Sequence, residues 1–113
     1  FYIACYKGNI NIVKYFLTCG RKIRINKATN DGKNSLDIAR ERGSNDSLIK
    51  NRESKEDFEN RKRNCLKIAE LIESFERNPD EITTKLRIEF ASKFISYLFL
   101  ITFFFFFFIS LSL

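Results

Sequence analysis

At 113 residues, 30% of them charged and 44% hydrophobic, the chain is long enough for one small domain and no more. Its net charge of +6 is unevenly placed: residues 1–45 hold nine Lys and Arg against three Asp and Glu, the whole surplus of six, whereas residues 46–93 hold eleven of each sign. There is no histidine, and Cys5, Cys19 and Cys65 are odd in number and unrelated in spacing, which argues against a zinc site, a Ser-His-Asp or Cys-His catalytic pair, and a disulfide framework.

The chain opens on Phe1-Tyr2-Ile3-Ala4-Cys5, already inside an apolar pattern and without an initiator Met, so a piece of a longer protein is expected. Phe1 to Lys7 reads as a short helix closed by Gly8. Beyond it Ile12, Val13, Phe16 and Leu17 recur at i, i+1, i+4, i+5 and predict an amphipathic helix with one packed face. Ser35 to Gly43 reads as a two-turn helix, capped by Asn34 or Ser35 and ended by Gly43 in the left-handed conformation. The two short helices are also related to each other. Aligning Ala4 on Ala39 brings Gly8 onto Gly43, Ile3 onto Ile38 and Phe1 onto Leu36, an internal repeat with an offset of 35 residues.

Ala4-Cys5-x-x-Gly8-Asn9-x-x-Ile12-Val13-x-x-Phe16-Leu17 resembles the inner part of an ankyrin repeat. Asn26-x-x-x-Asn30-Asp31-Gly32-Lys33-Asn34-Ser35-Leu36-Asp37-Ile38-Ala39 resembles the hairpin turn and opening of the next repeat. Leu36 and Ala39 match the family's Thr-Pro-Leu-His-x-Ala; its Thr, Pro and His positions do not, which fits a degenerate terminal repeat. The competing reading is an unrelated helical hairpin with fortuitous glycine spacing. The resemblance implies an all-α fold of ankyrin-type helical hairpins, an α-solenoid fragment, followed by a long C-terminal helix. In such a repeat Cys5 and Cys19 take small apolar positions, and both thiols are expected to be buried.

Residues 1–45 form the repeat and the start of the next, and residues 46–65 read as a charged insert or linker. Within that insert, opposite charges four apart (Asp46/Lys50, Lys55/Glu59, Asp57/Arg61, Glu59/Arg63) would support a solvated helix, with disorder as the alternative. Arg61-Lys62-Arg63, flanked by acids, reads as an exposed charged face and not as a nucleic-acid signal. Residues 66–77 supply the outer helix of the terminal repeat, with Ile68, Leu71, Ile72 and Phe75 at i, i+3, i+4, i+7. Asn78-Pro79-Asp80-Glu81 is a helix start, opening a capping helix over 78–93 whose stripe of Ile82, Leu86, Phe90 and Phe94 seals the array.

Residues 94–113 carry no charge, and as a helix their length matches the hydrocarbon thickness of a bilayer, so they form a candidate transmembrane helix. Burial as a core helix fails, because a body this small has nothing to cover it with. A different origin also fits the six consecutive phenylalanines from Phe103 to Phe108: a translated non-coding stretch without an evolved role.

No catalytic set, phosphate loop or cofactor site emerges from the residues, and an enzyme is not expected. The preferred reading is a protein–protein interaction scaffold; the alternative is a tail-anchored membrane protein with a small helical body on the cytoplasmic side. Arg21, Lys22, Arg24 and Lys27 form a basic projection between repeats, where the resemblance places partner contacts. They suit an acidic protein surface, or anionic headgroups if the tail is embedded nearby. Nucleic acid is disfavoured, since no aromatic residue interleaves with those charges.

Overall fold

Local residue choices set most of the helix ends in the computed structural model, which describes residues 1–19, 25, 27–44 and 53–113. Five α-helices and no strand occur among the described residues: α1 (Tyr2–Lys7), α2 (Ile10–Thr18), α3 (Ser35–Ser44), α4 (Lys55–Arg77) and α5 (Pro79–Ser112). The fold is all-helical.

Gly8 closes α1 at φ 70° and ψ 28°, where a side chain is disfavoured, and its N–H donates to the carbonyl of Cys5 at 3.2 Å. It serves a second purpose as well. A Cβ there would lie 3.1 Å from the Arg61 carbonyl oxygen, so its absence lets α4 pass close to the turn. Asn9 then caps α2, accepting from the Ile12 N–H. Between α2 and α3, Thr29 and Lys33 close a turn (Thr29 N–H to Lys33 carbonyl, 2.9 Å) in which Gly32 has φ 80°.

Asn34, not Ser35, caps α3. Its Oδ1 accepts from the Asp37 N–H at 2.9 Å while Asp37 Oδ2 accepts from the Asn34 N–H at 3.0 Å, a reciprocal box. Gly43 does not end the helix as the sequence suggested. It has no positive φ and lies inside α3, which runs on to Ser44. The missing side chain is used for packing: a Cβ on Gly43 would sit 2.7 Å from Leu66 Cδ2 and 3.2 Å from the Leu66 backbone nitrogen.

The expected boundary between insert and outer helix, at 65/66, falls inside α4, a single helix of 23 residues. Ser54 starts it by accepting from the Asp57 N–H, and nothing between Lys55 and Arg77 breaks it. Phe58, Cys65, Ile68, Ala69 and Ile72 are buried along one stripe, so Phe58 is a packed residue and not an isolated apolar one. Of the expected ion pairs in this segment, that of Arg61 goes to Glu53. Residues 46–52 lie outside the described residues.

Asn78 joins the last two helices. Its N–H donates to the Ser74 carbonyl at the end of α4, and its Oδ1 accepts from the Glu81 N–H at the start of α5, with Pro79 in the first turn. α5 then continues for 34 residues, so the capping helix and the apolar tail are one rod.

One apolar cluster holds the body together: Ala4 and Cys5 from α1, Val13 and Leu17 from α2, Leu36, Ile38 and Ala39 from α3, Ile68, Ala69 and Ile72 from α4, and Leu86 from α5. Complete enclosure of side chains such as Ile68, Ile72 and Val13 contributes roughly 1.5–3 kcal/mol each. α3 lies along α4, α1 packs on α3, α2 packs on α4, and the first half of α5 covers α2 and α4. Of the α2 stripe, Val13 and Leu17 are buried, but Ile12 and Phe16 remain 43% and 37% exposed on the side away from the core. Of the α5 stripe, Leu86 is buried, Ile82 and Phe90 are half-buried, and Phe94 is free. Cys19 is exposed, contrary to expectation, because it follows the last turn of α2 as its C-cap and no longer shares the buried face.

Candidate functional site

Three places gather side chains with chemistry to offer, two on the surface and one enclosed. The first contains the basic projection. Arg21, Lys22 and Arg24 lie outside the described residues; Lys27 is described and exposed. It lines an open cavity of about 490 Å³ together with Phe1, Tyr2, Ala28, Thr29, Asn30 and Ser35. Among the described residues, Lys27 is the only charged side chain in that lining. Nearby charges are already engaged: the Thr29 hydroxyl donates to Asp31 and holds its carboxyl below the usual range, and Lys33 is paired with Glu41.

A second group gathers where α1, α3 and α4 meet. Cys65 Sγ lies 3.6 Å from the Cys5 carbonyl oxygen, and both thiols are enclosed. Burial pushes Cys5 up to about 11 and raises Cys65 as well, the latter opposed by the guanidinium groups of Arg42 and Arg61. Both thiols therefore stay protonated near neutrality. Arg42 is almost wholly buried, stacked 3.9 Å above the centre of the Tyr6 ring, and its Nε makes no hydrogen bond. Arg61 is held by Glu53 in a two-pronged pair, Nε to Oε1 at 2.9 Å and Nη2 to Oε2 at 2.8 Å. Among the described residues, no group of three or more Cys, Asp or Glu side chains is placed to hold a metal ion.

The third place is the foot of the exposed tail. Lys14 Nζ reaches from α2 to Glu89 Oε1 at 2.8 Å, and Lys93 approaches the same oxygen at 3.4 Å. The hydrogen bond from Lys14 holds the Glu89 carboxyl below its ordinary range, with Lys93 adding to the effect. Arg87 donates through Nε and Nη2 to the Thr18 carbonyl at the end of α2, and Thr83 donates to the Leu17 carbonyl. Past Lys93 every residue is exposed. The helix is long and apolar enough to cross a membrane, with an 18-residue window of mean hydropathy 2.4 and none of it buried. Ser96, Thr102 and Ser112 each donate to the carbonyl four residues back, so these hydroxyls need no water.

Sequence reasoning located Lys27 and the tail but missed Glu89 as a hub. The Glu89/Lys93 spacing was legible as an i, i+4 pair; the Lys14 contact, 75 residues away along the chain, was not. No family model, no curated protein and no solved structure matches this chain.

Proposed function

We propose that the chain is a protein-interaction scaffold, the non-catalytic end of an ankyrin-type array. The observation that carries this reading is the placement of the helix pairs: α1–α2, turned by left-handed Gly8, lies against α3–α4 with α1 on α3 and α2 on α4. Ala4 and Ala39, equivalent in the internal repeat, share one core, and the Gly32 turn leads into the second pair. The pairs bury apolar sides against one another and leave the polar turn at Gly32 exposed. The partner is an acidic protein segment that docks at the cavity beside Lys27.

A peptide-display selection against the full chain in detergent micelles tests this. The expected binders carry Asp or Glu beside an apolar anchor, and Lys27→Glu weakens them roughly fivefold, the scale of one exposed charge pair lost and reversed. Binders without acidic residues, or indifferent to Lys27→Glu, would remove the assigned surface.

A second reading is supported by a specific observation, the complete exposure of residues 94–113. In it the chain is tail-anchored, with the body on the cytoplasmic side and α5 crossing the bilayer. The two readings are compatible in one molecule, since the cavity and the tail use different residues.

A further inference from the structure

We infer that Lys14, Arg87 and Lys93 form one surface for the phosphates of anionic phospholipids, which seats the helical body directly on the bilayer. The inference rests on the tail-anchor reading and adds the partner and orientation of the body. Three observations combine.

The first is continuity. α5 contains no glycine, and its only proline is Pro79 at the first turn, so the half packed on α2 and α4 and the exposed half form one rod without a linker. The orientation of the anchor is therefore the orientation of the body. The second is level. Phe94 to Leu113 spans about 30 Å as a helix, the hydrocarbon thickness, which puts Lys93 at its edge. Glu89 then lies about 6 Å and Arg87 about 9 Å outside that edge, at and just beyond the headgroup layer. Lys14 is brought to the same level by its contact with Glu89.

The third is charge balance. Among the described contacts here, Lys14 and Lys93 share the single carboxylate of Glu89. Arg87 spends Nε and Nη2 on the Thr18 carbonyl and has no carboxylate partner among the described residues. Those four side chains, Lys14, Arg87, Glu89 and Lys93, sum to +2, drawn from two helices and set beside an uncharged apolar rod. Lipid phosphate complements both parts at once, whereas an acidic protein segment would leave the rod uncovered. Lys93 suits the role further, since its stem can lie along the tail while its ammonium reaches the phosphates.

The test uses the full chain in vesicles of phosphatidylcholine alone and of phosphatidylcholine mixed with phosphatidylserine. A fluorophore on Cys19, the exposed thiol next to Thr18, reports energy transfer to headgroup-labelled lipids of either kind. The expected result is close approach of Cys19 to the headgroups and local enrichment of the anionic lipid. That enrichment falls about fivefold for each of Arg87→Gln and Lys93→Gln, with resistance to alkaline extraction unchanged. A chain that resists extraction yet shows no anionic enrichment, or whose variants keep it, overturns the seat and leaves the anchor standing. Extraction from both kinds of vesicle overturns the anchor, and the seat with it.

Discussion

At Cys5 a thiolate would lose its hydration in a fully enclosed site, so the fold holds the neutral thiol and raises its pKa to about 11. An ordinary thiol in the unfolded chain ionises near 9. Below that pH both states are protonated and the contribution of the buried thiol is complete. As pH rises from there towards about 11, the unfolded chain releases a proton that the folded chain keeps, and stability is lost. Denaturant unfolding of the chain in micelles should show a steeper loss across that window than the Cys5→Ala variant; parallel pH profiles would contradict the assignment. The enclosed thiols were half legible. Their apolar company was visible in the sequence, but Cys19 sits in similar company and is exposed, because only the end of α2 decides which way it faces.

Helix starts were largely readable because they are local. Asn34 and Asn78 each satisfy an N–H three residues on, a contact that needs no distant partner. Helix extents were not. α3 runs through Gly43 and α4 runs back to Lys55, and in both cases the reason is a neighbouring helix: Leu66 fills the space at Gly43, and the core stripe of α4 extends back to Phe58. Gly43→Ala should therefore lower stability by about 1 kcal/mol, since crowding against Leu66 costs about 1–3 kcal/mol and alanine's better helix preference returns about 1. In a Leu66→Ala background the same change should be neutral or stabilising. Thermal unfolding of the four variants of this cycle measures it; equal effects of Gly43→Ala in both backgrounds would show that the close approach is not what matters.

Over the whole molecule, the body is packed and the tail is bare. The body has one core built from all five helices, whereas residues 94–113 are exposed along their whole length. Expressed in cells, the full chain should sediment with membranes and require detergent for release, and the chain ending at Lys93 should remain soluble. A full chain that is soluble and folded without detergent would point to the phenylalanine run as an extension without function. On the proposed readings the same partition separates the surfaces, with Lys27 and its cavity assigned to recognition and Lys14, Arg87 and Lys93 to the boundary with lipid.

The residues alone determined the helical class, the N-caps Asn34 and Asn78, the pairing of Gly8 with a chain reversal and the apolar length of the tail, because each depends on neighbours within a few positions. Tertiary structure decided which half of the α2 stripe is covered, how far α3 and α4 run, and that Lys14 meets Glu89 across 75 residues. Those outcomes depend on which helix lies against which. Segments far apart in the chain exclude water from each other only after they have packed.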